Sequence, residues 1–573
     1  MKQELDNIRG AVDQLEGAML SAATDLRTLK LERDRLLAEK ADLEAKLAAL
    51  QPKPEPVKPD VPDVVIKFGD KILRPEGPGE VWEWSGEQRW FWDVTSDLRI
   101  ILDAVGKQRR IILQRAWGDL PLTAPVAEVR IGVALDGEKV WDGDVRIHHH
   151  TRPCMTFRRE PAPAVHLNAW KGQGVLPNFK SQKLDGKIPS RWEWRRWDEL
   201  PEAATANRWT ERFGLASKSW VGGVPLSNEG SMISPWDATL LLSANLSPEL
   251  WEMCADTAES VGNYAVHFYN RSAGRPIDYF SIEGIDLPQL NADALPALTT
   301  AAGVRLPVAD IAHDMALPNT MALLTGERFY LEAMQSMVLL GSLAKKGADR
   351  ASGIFWSGQV RSVAWWLRNL YHLCQATGGD TSMHLPQLRE NLKWMTERFA
   401  LPIGPDHRPT GILSWVAHKN SPWMRFAAST TGLTTSTGNA HFLAHVLGEI
   451  NRSGIVGNEA EKMLRHVLKV AEGTWKHSPD KKLAAWLQHS GSGDRTETWQ
   501  AIMKRTFARG IGPVAEFPEP ITTDIIAWHR AAVVAACDLG EAWAIEALPQ
   551  IDAMLAADRR VPSIAWQVEP AIK

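Results

Sequence analysis

Apolar residues recur three and four positions apart through the first fifty residues of this 573-residue chain, and that spacing leaves little choice of fold. With Leu5 as position a, the a series is Leu5, Val12, Met19, Leu26, Arg33, Lys40 and Leu47. The d series is Ile8, Leu15, Ala22, Leu29, Leu36, Leu43 and Leu50. Of these fourteen positions, twelve are apolar. A period of 3.5 residues asks for burial along one narrow stripe, which a lone helix in water cannot supply. The stripe of a solitary amphipathic helix would drift at 3.6 residues per turn instead. The expectation is a parallel, self-associating coiled coil over residues 1–50. Arg33 and Lys40 in the core serve register or partner choice. Leu at d is compatible with two or three strands, and a homotrimer is favoured over a dimer.

The stalk stops at Gln51. Pro52, Pro54, Pro56, Pro59 and Pro62 then alternate with charged residues or Val, so residues 51–62 read as a semi-rigid extended linker. No stretch approaches the roughly 18 apolar residues of a membrane span, and Lys2 argues against a signal peptide. A net charge of −4 gives no global argument for nucleic acid. The four cysteines are far apart without a CxxC pair, which indicates neither a disulfide framework nor a zinc site. No cofactor or metal is expected.

Residues 63–230 read as a β-rich sandwich or barrel. The runs Asp63–Phe68, Leu98–Asp103, Arg110–Leu113, Glu128–Leu135 and Lys139–Ile147 are short and separated by turn signals such as Asp136-Gly137. From 231 to 573 the pattern switches to helices in hairpins, with turns at 243–249, 324–330, 376–382, 451–460 and 537–543. Gly closes one helix in the left-handed conformation, and Ser, Thr or Asn starts the next. Such hairpins stack into an open superhelix or close into an α/α toroid, and the long inserts at 263–308 and 399–437 favour the toroid. The fold class expected is therefore multidomain α+β: coiled coil, β-domain, toroid.

Several stretches carry a family resemblance. They are VWDGDVRIHHHTRPCMTF (140–157), GVLPNFKSQ (174–182), SPWDATLLLSAN (234–245) and GNYAVHFYNRSAGRPID (262–278). AHDMALPNTMALLTGERFYLEAMQ (312–335), QVRSVAWWLRNLYHLCQAT (359–377) and DIIAWHRAAVVAACDLG (524–540) join them. Together they resemble a bacterial and bacteriophage family related to exo-rhamnogalacturonan-lyase-like proteins, which combine an N-terminal β-barrel with a C-terminal α/α toroid. The resemblance spans most of the chain beyond the neck and leaves out the stalk, and none of its motifs is a catalytic signature. A body of this kind behind a heptad stalk looks like a phage tail fibre, spike or baseplate protein. That reading implies location in the virion, synthesis in the host cytoplasm, an N-terminus held by other tail or baseplate proteins, and a host surface glycan as ligand. The alternative is an enzyme, a lyase or glycoside hydrolase, acting on an acidic cell-surface polysaccharide.

A toroid gathers functional residues at the starts of inner helices and in the inserts. The catalytic candidates are His313, Asp314, Arg361, Tyr371 and His418, with Asp524 and His529 at the last hairpin. The substrate-binding candidates are Trp192, Trp194 and Trp197 in RWEWRRW, together with His267, Arg275, Trp365, Arg368 and Trp415. A lyase needs a Tyr or His base and an Arg to neutralise a uronate carboxylate, whereas a glycosidase needs two carboxylates about 5–10 Å apart. The supply here fits a lyase slightly better. Yet Arg361, Trp365 and Arg368 share one helical face whether or not they touch a ligand, and stacking within the packing explains them equally. For His313–Asp314 the plain alternative is a helix cap. In His148–His150, alternation along a strand would let only His148 and His150 share an ion, and a strand-edge or interface role is favoured. Tryptophan, at 26 residues, outnumbers Phe (14) and Tyr (5) together, and most of it reads as glue between β-domain and helices.

Overall fold

The computed structural model describes residues 65–68, 71–73, 83–85, 88–93, 97–120, 124–159, 176–179, 184, 187–188, 231–243, 247–271, 274–277, 317–343, 353–356, 360–413, 433–478, 483, 486–489, 497–508, 519–557 and 566–571. The stalk 1–50, the linker 51–62, the Trp192/Trp194/Trp197 cluster, His313, Asp314, Trp415, His418 and the side chain of Asp524 lie outside the described residues. Residues 65–134 and 138–573 form one compact unit, and 1–64 with 135–137 form a second. The first unit mixes helices with small antiparallel sheets.

The strand runs legible in the sequence become β1 (Val65–Phe68), β5 (Leu98–Val105), β6 (Gln108–Gln114), β7 (Ala127–Leu135) and β8 (Glu138–Ile147). With β2 (Lys71–Leu73), β3 (Glu83–Ser85), β4 (Gln88–Asp93) and β9 (Cys154–Phe157) they build two sheets, ordered β2-β1-β7-β8 and β3-β4-β5-β6-β9. The five-stranded sheet is antiparallel throughout. Its register sets Ile101 opposite Ile112, and Ile112 opposite Cys154. Two residues along, Asp103 pairs with Arg110 and Arg110 with Thr156. Residues two apart share a face, so one face carries an apolar row beside a charged one. Ile101, Ile112 and Cys154 belong to the same buried core as the helices, which fixes that face as the one turned toward them.

Among the described residues are eleven α-helices. The five turns read from the sequence join α1 (Pro235–Leu242) to α2 (Pro248–Glu259), α3 (Asn319–Thr325) to α4 (Arg328–Leu343), and α5 (Val360–Ala376) to α6 (Leu385–Met395). They also join α7 (Thr437–Ser453) to α8 (Asn458–His477) and α10 (Glu519–Asp538) to α11 (Ala542–Ala557). Local chemistry sets these ends. Ser234 and Ser247 accept from the amides of Asp237 and Leu250 at 3.1 and 3.0 Å, and Pro at the first helical position has no amide to leave unpaired. Gly326 closes α3 at φ 66°, where a side chain would be strained.

The first helices of successive hairpins pack in sequence: α3 on α5, α5 on α7, α7 on α10. Each packs against its hairpin partner, and α6 also packs against α8. Helix α9 (Trp499–Ala508) instead covers a ribbon of β12 (Leu433–Ser436) and β13 (Trp486–His489), around Ile412, Val470, Leu487, Ile502 and Met503. Tight approaches lock the layers. The Trp366 indole donates to the Val338 carbonyl at 3.0 Å, and a Cβ on Gly341 would stand 2.2 Å from Trp366 Cδ1. All four cysteines are free and buried. Among the described residues no helix is long and apolar enough to cross a membrane.

Candidate functional site

The residues singled out on α5 are mostly sealed into packing. Arg368 is fully buried, donates to the Ser231 carbonyl at 3.1 Å and to Asn369 Oδ1 at 3.0–3.1 Å, and lies over the Trp365 ring at 4.4 Å. This is the packing alternative for Trp365 and Arg368, and it engages the Arg368 guanidinium that would otherwise neutralise a uronate carboxylate. Tyr371 is buried too. Its hydroxyl accepts from Gln375 at 3.0 Å, and burial pushes its pKa up against the opposing pull of Ser453 and Gln375, the wrong direction for a base. Arg361 is half-buried in the first turn of the helix.

His267 and Arg275 do not form a common grip. His267 is fully buried, with Nε2 against the Val261 carbonyl at 2.9 Å, and Arg275 is exposed on β11 (Arg275–Pro276), which pairs with β10 (Tyr269–Asn270). The three-histidine run differs from its strand reading, because β8 ends at Ile147 and the run turns, with His150 at φ 55°. All three rings are consequently buried. His149 Nδ1 meets the Ala124 carbonyl at 3.2 Å, His150 Nε2 meets the Leu120 carbonyl at 3.0 Å, and the His150 ring lies 4.5 Å from Phe268. Burial pulls His148 down to about 4 and His150 to about 3, so both stay neutral. Among the described residues no group of three or more His, Cys, Asp or Glu could hold a metal ion.

The charged row of the sheet forms a buried network that sequence reasoning missed. Arg110, wholly inaccessible, pairs with Glu259 at 3.0 Å, with Glu327, and with Asp103 at 3.6 Å. Arg159 pairs with Glu259 at 2.7 Å and Asp256 at 3.1 Å, while Arg152 pairs with Glu332. Thr156 and Tyr330 add hydroxyls, and Tyr269 donates to Glu332 at 3.1 Å. Burial alone would raise the Glu259 carboxyl, but Arg159 and Arg110 outweigh it and hold it at about 2. These ions fasten β6 and the Arg152–Arg159 segment to α2 and α4. Their partners stand 149 and 217 residues apart in sequence, and nothing local in QRRIILQ, where the two Arg and the two Ile are adjacent, marks the pairing.

A second cluster lies along the row of α5, α7 and α10. His441 Nε2 and His529 Nδ1 meet at 3.2 Å across α7 and α10, with the ring planes at 74°. His445 packs against Trp566 at 5.5 Å and Trp566 against Trp528 at 5.7 Å, both pairs tilted by just over 40°, and Phe442 stands edge-on to Trp365 at 5.3 Å. Every one of these side chains is buried. The indole Nε1 atoms of Trp365, Trp528 and Trp566 find no acceptor among the described residues, nor do the outer nitrogens of His441, His445 and His529 find partners. Burial holds His445 and His529 at about 3 and His441 well below its ordinary value. The cluster is thus a neutral, aromatic set of hydrogen-bonding groups, suited to hydroxyls and unsuited to proton transfer near neutrality. Of the sequence candidates, the structure brings Trp365 and His529 into it. Compared with models of protein families, with curated proteins and with solved structures, the chain matches none.

Proposed function

We propose that the chain is a bacteriophage virion tail component, a tail fibre, spike or baseplate protein, that oligomerises through its N-terminal coiled coil. Its body, a β-sandwich joined to an α/α toroid, faces a glycan of the host surface. The succession of contacts α3–α5–α7–α10, each helix packed on its hairpin partner, is what a closed ring of hairpins requires, and it supports the toroid. The observation that carries binding over cleavage is the engagement of Arg368 and Tyr371. The two α5 groups best suited to lyase chemistry are buried in hydrogen bonds of the fold. The buried ion network fastens sheet to helices with charges that cost several kcal/mol each to leave unpaired, which suits a body that must stay in one piece outside the cell.

The test uses bacterial surface polysaccharides immobilised on a sensor chip. The full chain should bind at least one of them, and a chain lacking residues 1–50 should bind it more weakly through lost multivalency. Neither should release unsaturated or reducing ends. Release of such ends by the full chain would replace this reading with the enzyme.

A further inference from the structure

Residues 566–571 follow the last hairpin and belong to none, yet Trp566 is sunk among the hairpins' side chains and is 1% exposed. Its ring centre lies 5.5 Å from His445, 6.1 Å from Phe442 and 5.7 Å from Trp528, so it fills the seam between α7 and α10. Trp528 is set flush against α7 because Gly438 has no Cβ; one there would stand 2.3 Å from Trp528 Cε3. From Val568 onward the segment is held by its backbone. Arg530 donates to the Val568 carbonyl and, at 2.5 Å, to Asp552. Asn178 Nδ2 donates to the Glu569 and Pro570 carbonyls at 3.1 and 3.0 Å, and the Asn178 carbonyl accepts from the Glu569 amide at 2.7 Å. The Ala571 amide donates to Asp538 at 2.7 Å. The seat of Trp566 is less complete. The indole N–H groups of Trp566 and Trp528 and the Nε2 atom of His445 find no partner among the described residues, whereas buried polar groups of a finished core are nearly always paired.

We propose that residues 566–571 are a displaceable plug, and that Trp566 holds the place of a pyranose ring of the host glycan against Trp528 and His445. The proposal rests on the glycan-binding reading and names both the site and its regulation. A pyranose, like an indole, offers a flat apolar face to aromatic rings. Unlike an indole, it carries hydroxyls around its edge, which would accept from the Trp528 N–H and pair with His445 Nε2, the groups that Trp566 leaves open. The plug can leave without unfolding a hairpin, because α11 ends at Ala557 and the strand-like pairing of the segment is one isolated bridge, Val568 with Phe179. Since the seated plug excludes the sugar, the apparent affinity is reduced to the fraction of chains whose seat is open. Loosening the plug therefore strengthens binding, whereas loosening a merely structural segment would weaken it.

Hydrogen exchange by the full chain, with and without a surface polysaccharide that it binds on the sensor chip, tests the plug. The Glu569 and Ala571 amides, bonded to Asn178 and Asp538, should exchange severalfold faster in the complex, because the sugar expels the segment. Exchange there that is unchanged or slowed by the polysaccharide would overturn the plug and leave the glycan reading standing. Arg530→Met removes the grip on the Val568 carbonyl without altering a ring of the seat, and should lower the apparent Kd severalfold. An equal or higher Kd for a folded Arg530→Met chain would likewise overturn the plug. If that variant does not fold, the exchange of the wild-type chain decides alone. Failure of both the wild-type and the Arg530→Met chain to bind any surface polysaccharide would refute the glycan reading itself, and the plug with it.

Discussion

Replacing Arg110 by Met tests whether the buried ions hold the sheet on the helices. Arg110 is the hub: it reaches Glu259, Glu327, Asp103 and, at 3.3 Å, the Tyr330 hydroxyl, and its guanidinium lies 5.0 Å from the Phe329 ring centre. Methionine keeps most of the volume and removes the charge. Glu259 retains Arg159, but among the described residues Glu327 keeps only Gln108, whose amide donates to it at 3.2 Å. Removing one partner of a buried pair costs about 3–5 kcal/mol, because the remaining charge stays buried without compensation. The matched control is Arg465→Met. Arg465 is half-exposed and bridges Glu461 at 2.8 Å and Glu541, a surface pairing whose loss costs about 0–1 kcal/mol. Calorimetric unfolding should show a midpoint for Arg110→Met several degrees below the control, and limited proteolysis should cut between sheet and helices. Adding Glu327→Gln should recover part of the loss. Equal midpoints for the two single variants would refute the claim that these ions carry the junction.

Three further outcomes follow from the geometry. Gly341→Ala should destabilise by about 1–3 kcal/mol in thermal melts, because its Cβ would overlap Trp366. At Gly454 (φ 73°), where a Cβ meets nothing, alanine should cost only the backbone strain of about 1 kcal/mol. Buried neutral histidines make the fold acid-sensitive: His148, His150, His267, His445, His466 and His529 have folded pKa values pulled down to about 3 or 4. The unfolded chain binds their protons first, so their contribution is full above about pH 6.5 and is lost as pH falls from there toward the folded values. A melting midpoint flat from pH 7 to pH 5 would contradict this. The Glu259 carboxyl, held low, adds a loss that begins only below about pH 4.3 and completes near its folded value of about 2.

What the sequence made legible is what is local. Hairpin turns announced themselves through Ser-Pro starts and glycine stops, and the strands through short β-branched runs between turn signals, since caps and turns are decided within a few residues. The α5 face was legible as a face, but its spacing could not tell a cleft from a core, and Arg368 and Tyr371 proved to be core. The histidine run was placed on a strand because nothing in IHHHT marks the turn that buries all three rings. The His441–His529 pair joins residues 88 apart that no period connects.

The central claim, a body presented in several copies by an N-terminal stalk, is tested most directly by the mass of the full chain in solution. Light scattering coupled to size exclusion should give three times the 63.7 kDa of one chain, and the mass of a single shortened chain once residues 1–50 are removed. A full-length chain that elutes with the mass of a single copy would contradict the account.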